Sequence, residues 1–406
     1  MSLQTYLNEI WKDEGTHHTP AYFFDTEVFK KRVQWVRDFL GDSIPLTYSI
    51  KANPFLLHCL PEEISHVEVC SPGELTICKK MEISPSRIIY SGVMKEKTDI
   101  QRAMEYGVNI FTAESLLHLQ LENELAASKK KIKVILRLTS GNQFGMSPED
   151  ILSVFVNPEK YKHVELYGIH FYSGTQKKKE KQIEKDLRQL TSLLETLEKE
   201  YGYQPSLVEY GPGLAVDYFS EHSEEEETEI LKNAVELIKE FAKKYPVGIE
   251  MGRFLAASCG TYVTQVKDLK YSSETNYVIC DGGMHHLKYY GQTMAMQVPP
   301  IWVNQFSREE ESQPYCICGS LCTVADVLVR EVELPKLAIG DYLGFERCGA
   351  YSVTEGSLMF LSRTMPEIYL YSEACGSKKL RSFLPTDRFN VADELSFFDR
   401  EVPVWD

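Results

Sequence analysis

Tyr48-Ser49-Ile50-Lys51-Ala52-Asn53-Pro54 is the stretch on which the reading of this chain turns. The run from Ser43 to Ile50 reads as a short apolar strand, and Lys51 stands at its C-terminal end, just before Pro54 turns the backbone. An amine at that position can face a cavity. A partly desolvated lysine loses its proton readily and becomes a nucleophile toward carbonyls, whereas a solvated one only caps the strand. These residues alone leave both readings open.

Working outward, a regular alternation begins at Pro45. Strand candidates at 45–50, 66–70, 88–92, 109–113, 133–138, 166–172, 207–211 and 247–250 are separated by segments long enough for a helix each. This alternation predicts a (β/α)8 barrel, with an open doubly wound sheet as the alternative. Two covering helices are marked by their period. Ile183, Leu187, Leu190, Leu194 and Leu197 share one face between Lys177 and Tyr201, and Ile230, Ala234, Leu237, Ile238 and Phe241 do so between Glu224 and Lys244. Lys177-Lys178-Lys179 reads as a solvated first turn. Ahead of the barrel, 4–13 reads as a short helix, 21–24 as a strand, and 27–39 as a helix capped by Asp25.

After Arg253 the texture changes to short β runs at 261–271, 275–281, 315–318, 327–333, 341–346 and 366–371. They predict a second, all-β domain that recruits the early strand at 21–24. The expected organisation is a barrel over 27–253, a β domain from 1–26 and 254–385, and an acidic C-terminal arm over 386–406 carrying Phe397, Phe398 and Trp405.

The chain has 406 residues, 43% hydrophobic and 25% charged, which suits two well-buried cores. Lys plus Arg number 44 against 59 Asp plus Glu, a net charge of −15, which argues against nucleic acid or an anionic membrane surface as a partner. No apolar run reaches the length of a membrane span. Met1-Ser2-Leu3-Gln4-Thr5 lacks the blocks of a secretory signal, so a cytoplasmic protein is expected. Ten scattered cysteines then favour free thiols over a disulfide framework. The spacing of Cys316, Cys318 and Cys322 is not that of a structural zinc site, and no metal is expected.

In a barrel, residues just past each strand line one mouth. Here they are Lys51, Glu68 to Ser71, Arg137, His170 to Gln176, Gly211-Pro212-Gly213 and Glu250 to Arg253. A phosphorylated aldehyde cofactor needs these parts. The turn at Gly213 exposes backbone N–H groups to a phosphate, Arg253 adds a fork of charged donors, Lys51 supplies an amine, and Glu250 keeps a pyridine nitrogen protonated. Each item has a plainer reading: an ordinary turn, an ion pair between Glu250 and Arg253, or a core histidine at His170.

The order of motifs resembles the fold-type III pyridoxal 5'-phosphate enzymes of the diaminopimelate and ornithine decarboxylase group along nearly the whole chain. The matching stretches are Y-S-I-K-A-N at 48–53, V-C-S-P-G-E-L at 69–75, I-I-Y-S-G at 88–92, H-F-Y-S-G-T-Q at 170–176 and Y-G-P-G-L-A-V-D-Y at 210–218. They continue as E-M-G-R at 250–253, D-G-G-M at 281–284, L-C-T-V-A-D-V at 321–327, and G-D-Y-L with G-A-Y between 340 and 351. The resemblance implies a cofactor-binding barrel followed by a β domain, assembled as a head-to-tail homodimer with shared active sites. It implies Lys51 as the residue that binds the cofactor aldehyde and Thr175 in place of a phosphate-binding serine. Gly211, Gly213, Gly252 and Arg253 are implied as phosphate-side contacts, Glu250 as the partner of the ring nitrogen, and Arg137 and Tyr351 as further cofactor contacts. Cys322 matches the cysteine that a partner subunit inserts to protonate the product carbon.

Three departures bear on the substrate. Tyr172 stands where the group stacks a histidine on the cofactor ring. Tyr289 stands where diaminopimelate decarboxylases carry an arginine for the distal carboxylate, within His285-His286-Leu287-Lys288-Tyr289-Tyr290. Thr323 replaces the acidic residue that takes a distal amine. The combination is similar to the butirosin-type subgroup, which decarboxylates glutamate held as a thioester on an acyl carrier protein. The resemblance therefore implies an amino acid linked to a carrier or otherwise conjugated, with His285 and His286 beside a neutral far end of the pocket. Diaminopimelate decarboxylation and a non-catalytic cofactor-binding homologue stay open as alternatives.

Overall fold

The run ending at Ser49 forms a strand because every one of its side chains is buried, and a strand buried on both faces reads as continuous apolar sequence. In the computed structural model, which describes residues 2–11, 18–127, 131–220, 223–304 and 311–391, the order of elements opens with α1 (Leu3–Ile10), β1 (Ala21–Asp25) and α2 (Thr26–Leu40). It continues β2 (Leu46–Ser49), β3 (His66–Val69), α3 (Pro72–Lys80), β4 (Ile88–Tyr90), α4 (Lys97–Tyr106), β5 (Ile110–Ala113), α5 (Leu116–Ala126), β6 (Ile132–Leu138) and α6 (Pro148–Val156). Then come β7 (Val164–Tyr172), α7 (Glu180–Tyr201), β8 (Leu207–Gly211), α8 (Ser223–Ala242), β9 (Val247–Met251) and α9 (Arg253–Ala256). Strands β2 to β9 pair in sequence order, all parallel, and β2 closes on β9. This is the closed (β/α)8 barrel the alternation predicts, and the open sheet is excluded.

The covering helices bury the faces their period marks. Ile183, Leu187, Leu190, Leu194 and Leu197 of α7 are all buried, and so are Ile230, Ala234, Ile238 and Phe241 of α8. Each such side chain contributes about 1.5–3 kcal/mol relative to full exposure. Helix α7 stops at Gly202, whose φ of 62° suits the left-handed C-terminal cap. Helix α2 begins where Asp25 accepts a 2.9 Å bond from the Glu27 amide, as the sequence predicts.

The rest of the chain is β10 (Gly260–Ser272), β11 (Thr275–Cys280), β12 (Ile301–Asn304), β13 (Ser312–Cys318), β14 (Val327–Pro335), β15 (Tyr342–Phe345), α10 (Ser352–Glu355), β16 (Glu367–Ser372) and β17 (Gly376–Arg381). With β1 these strands form a nine-stranded sheet. Strand β1 lies in its middle, antiparallel to β10 and parallel to β16. Leu7, Trp11, Ala21, Phe23, Val263, Tyr342, Tyr369 and Tyr371 make its core. Two strands, β12 and β17, are absent from the sequence expectation, and the domain also carries the helices α1 and α10.

The residues divide into two compact units, one of Val28–Asp217 and Glu221–Ala257, the other of Met1–Glu27, Tyr218–Ser220 and Ser258–Asp406. Of the expected C-terminal arm, residues 392–406, with Phe397, Phe398 and Trp405, lie outside the described residues. Among the described residues no helix is long and apolar enough to cross a membrane.

Candidate active site

After Ser49 the chain enters a 3-10 turn, Ile50–Ala52, and then a second that starts at Pro54. Asn53 fixes the junction: its side chain accepts from the Phe55 amide at 3.0 Å, and its carbonyl accepts from the buried Tyr48 hydroxyl at 2.9 Å. Lys51 is thereby held at the C-terminal mouth with 41% of its side chain exposed, above buried neighbours. Its Nζ lies 2.8 Å from Glu68 Oε2, 3.6 Å from Glu250 Oε1 and 3.7 Å from Cys70 Sγ. The V-C-S-P-G-E-L stretch, with Glu68 just ahead of it, fixes the end of β3. Ser71 caps α3 by accepting from the Glu74 amide at 3.1 Å, and the Glu74 carboxylate accepts from the Cys70 amide at 2.6 Å. Glu68 and Cys70 therefore both end up beside the amine.

Glu250, at the end of β9, accepts from Ser49 Oγ at 2.7 Å and bonds His170 Nε2 at 3.0 Å. Burial by itself pushes this carboxyl up, but Lys51, His170 and Ser49 outweigh it and hold Glu250 well below the usual carboxylate range. It is an ionised carboxylate under an amine. His170 is buried, its Nδ1 makes no hydrogen bond among the described residues, and its Nε2 is held by Glu250. Deeper on β8, Glu209 is pushed up to about 8 by burial, with Glu250 and Glu68 adding to the effect. Burial likewise lifts the Cys70 thiol well above its ordinary value, so it stays protonated beside Lys51.

The other predicted mouth residues sit on two turns. Tyr172 ends β7 with its phenol pushed up chiefly by burial, and Lys51, Glu250, Thr175 and Arg253 all act on it. Its ring covers Gly211, where a Cβ would come within 2.7 Å of Tyr172 Cδ2. Gly213, at φ 61°, packs so closely on the preceding turn that a Cβ would lie 1.9 Å from the Gly174 carbonyl oxygen. Gly252 precedes α9, where a Cβ would sit 3.0 Å from that of Ala52, and Arg253 is the first residue of α9, half-buried.

One expectation changes here. Lys177 is not solvated: it is buried and paired with Asp186, because the backbone after β7 turns inward before α7 starts at Glu180. Arg137, near the end of β6, is buried in an ion pair with Glu114. Its Nη1 donates to Glu114 Oε1 at 2.6 Å, Glu114 also accepts from the Gly145 amide at 3.0 Å, and the guanidinium lies 4.7 Å over the Phe144 ring. These contacts tie down the 139–146 loop.

In the other unit, Cys322 is exposed on the turn after β13, with Thr323 half-buried next to it. Asp326 shapes that turn, accepting from the amides of Met284 and Leu321, each at 2.7 Å. Tyr351 precedes α10 at φ 68°, an uncommon conformation for a tyrosine. Tyr289 is buried, donates to the Glu346 carbonyl at 2.5 Å and meets the rings of Tyr218 and Phe219 edge-on. His285 and His286 are buried with ring centroids 3.7 Å apart, so they do not form an open neutral surface as the sequence implies. A groove of about 500 Å³ adjoins Tyr289 instead, lined among others by Lys288, Gln292, Met294, Arg330 and Glu355.

Sequence reasoning left Ser49, Glu68, Cys70 and Glu114 unassigned. Ser49 and Lys51, and likewise Glu68 and Cys70, are spaced by two. That spacing is the available signal, because alternate strand residues share a face.

Residues 26–257 match the domain described as pyridoxal-dependent decarboxylase, pyridoxal binding domain. The chain is 28% identical to the L-glutamyl-[BtrI acyl-carrier protein] decarboxylase of Niallia circulans over 86% of this chain and 87% of that protein. It is 27% identical to the diaminopimelate decarboxylase of Aquifex aeolicus over 84% of each. Among solved structures, the diaminopimelate decarboxylase of Helicobacter pylori complexed with L-lysine superposes with a TM-score of 0.80 at 24% identity, covering 94% of this chain and 97% of that one.

Proposed function

The chain belongs to the pyridoxal-dependent decarboxylases, and on that premise we propose that it removes the α-carboxylate of an amino acid conjugated at its far end, a thioester to an acyl carrier being the first candidate. It is a lyase whose cofactor is pyridoxal phosphate. The barrel mouth fits that cofactor. An amine open to solvent stands above an ionised carboxylate, and the turns at Gly174 and Gly213 meet with no room for a side chain between them. Lys51 would hold the aldehyde carbon and Glu250 the ring nitrogen. Thr175, Gly211, Gly213, Gly252 and Arg253 would hold the phosphate, with Tyr172 against the ring. The observation that carries the reading is the position of Lys51 between Glu68 and Glu250.

Bound there, the cofactor supplies an aldehyde that engages the substrate amine and a ring that takes up the electron pair left when carbon dioxide departs. His170 keeps Glu250 oriented and ionised, so that the carboxylate would keep the ring nitrogen of a bound cofactor protonated. Glu68 accepts from the Lys51 ammonium at 2.8 Å and would hold that amine whenever it is not bonded to the cofactor. Cys322 is the proton donor to the product carbon, acting in the site of a second copy. Its exposure supports that assignment, as does the apolar company it keeps: Val324 is 99% exposed. Met294 and Met296 of the same unit are also largely exposed, as a face covered by a second copy would be in one chain alone. Ten free thiols support a reducing, cytoplasmic setting.

The conjugated substrate rests on what is missing. Thr323 offers no charge to a distal amine, and Tyr289 is turned into its own core. The Niallia circulans enzyme, with both chains covered almost throughout, acts by its name on a carrier-linked glutamyl group. Diaminopimelate is the second reading. Lys288 and Arg330 on the groove beside Tyr289 are cations suited to a distal carboxylate, and the Aquifex aeolicus enzyme is nearly as similar. A carbon dioxide release assay separates them, comparing free glutamate, lysine, ornithine and diaminopimelate with glutamyl thioesters of N-acetylcysteamine and of a carrier protein. The thioesters should turn over at least tenfold faster, about 1.4 kcal/mol in the barrier. Efficient turnover of free meso-diaminopimelate sinks the conjugate.

A further inference from the structure

Behind the two turns of the barrel mouth lies a cluster that the chemistry above does not use. Asp186, buried on the second turn of α7, is reached by three donors. Ser173 Oγ, from the turn after β7, donates to Oδ1 at 2.8 Å. Tyr210 OH, from β8, donates to Oδ2 at 3.0 Å, and the Lys177 ammonium pairs with the same oxygen. Lys177 is also where the turns are stitched together. Its amide donates to the Gly213 carbonyl at 3.0 Å, and its carbonyl accepts from the Ala215 amide at 3.1 Å. One residue earlier, the Gln176 side chain takes the Val216 amide at 2.8 Å and gives to the Val216 carbonyl at 2.9 Å. Gln176 itself sits at φ 59°, which a side chain tolerates only when its surroundings hold it there.

A buried lysine, aspartate and tyrosine with a half-buried serine are a costly way to fill space. An apolar set of the same volume is commonly as stable or more so, and what a satisfied polar cluster adds is one specific geometry. The geometry fixed here is the relative placement of the Ser173–Gln176 turn and the Gly211–Ala215 turn. Since Lys177 neutralises Asp186, the pair adds little net field at the mouth. Its effect is on position.

We infer that Asp186 is the positioning residue of the phosphate cradle: by holding Ser173, Lys177 and Tyr210 it locks the turn after β7 onto the turn after β8 and sets the spacing of the backbone N–H groups offered to a phosphate. This rests on the reading that these turns, with Arg253, hold the cofactor phosphate.

The test separates the phosphate contribution from everything else. Full-length protein stripped of cofactor is titrated with pyridoxal phosphate and with pyridoxal, and the ratio of the two dissociation constants is compared between variants. Asp186→Asn should lower the phosphate advantage about tenfold, and Tyr210→Phe and Ser173→Ala about two- to fivefold each, as expected for loss of buried hydrogen bonds. Affinity for pyridoxal should change little. Were Asp186→Asn not to fold, the two milder variants carry the measurement. A purely structural cluster would lower the melting temperature and leave the ratio untouched, which overturns the inference. Arg253→Met is the control. If it collapses the ratio while the Asp186, Tyr210 and Ser173 variants do not, the cradle reading stands and the positioning role falls. If Arg253→Met leaves the ratio unchanged, the cradle reading fails and takes the inference with it.

Discussion

Lys51 Nζ lies 2.8 Å from Glu68 Oε2, closer than its 3.6 Å approach to Glu250 Oε1, so the amine at the mouth has an anionic partner distinct from Glu250. Glu250 is held instead by Ser49 and His170. The amine is the proposed point of covalent attachment.

Borohydride treatment of the native protein should fix the cofactor covalently to the chain, and peptide mapping should find it on the fragment holding Lys51. In Lys51→Ala no covalent cofactor should be recovered and activity should be lost. Recovery of labelled peptide elsewhere would move the assignment to another lysine.

His170 is predicted to govern the acid side of the pH profile. Glu250 is held low, so its favourable pairing is complete above its unfolded-state value and is lost as pH falls through the depressed one. Removing a buried charge-assisted bond, worth about 1.5–3 kcal/mol, moves that lower limit upward by roughly one to two pH units. His170→Gln should therefore weaken cofactor binding more at the acid end, toward and below pH 4.5, than at pH 8. Titrations at several pH values check this, and a uniform loss across the range contradicts it.

Glu209 gives an opposite sign. Its carboxyl is pushed from the ordinary 4.5 to about 8, so between those values the folded chain keeps a proton that the unfolded chain releases. Stability then falls as pH rises across that window. Glu209→Gln stays neutral and should gain stability over the native protein above pH 8, on the order of a few kcal/mol, with little difference below pH 4.5. Parallel melting curves at both ends would show that Glu209 is ionised in the folded state.

Subunit mixing tests the placement of Cys322. Inactive Lys51→Ala and Cys322→Ala chains, exchanged in equal amounts, should regain up to about a quarter of the native sites by random pairing in a symmetric dimer. Absence of recovery after verified exchange would put both residues in the site of one chain.

Much of this was open to reading in the sequence because barrel strands are short, doubly buried and ended by turn residues. All eight, from Leu46–Ser49 to Val247–Met251, fall within two residues of where the apolar runs put them. The edge strand Gly376–Arg381 was not visible, since its exposed Lys378 and Lys379 carry a solvent-facing pattern. Lys177 misleads for a related reason. Three lysines in a row look solvated, and only the fold brings Asp186, Ser173 and Tyr210 around the first of them. The same holds for Glu250. Its place was legible, but its bonds to Ser49 and His170 are contacts between distant strand ends that no local pattern encodes.

Strand β1 has a consequence for how the chain is made. Ala21 pairs with Val263 on one side and Glu367 on the other, so a central strand of the nine-stranded sheet is synthesised before the barrel and both its neighbours after it. Through the synthesis of the whole barrel, Phe23 and Phe24 wait without their final cover. Loop closure over such a span must precede any reward from pairing, which makes this sheet slow to complete and exposes a hydrophobic template meanwhile. A nascent chain arrested before Gly260 would have a finished barrel sequence trailing from an unsatisfied strand, the form in which this protein is most in need of a chaperone.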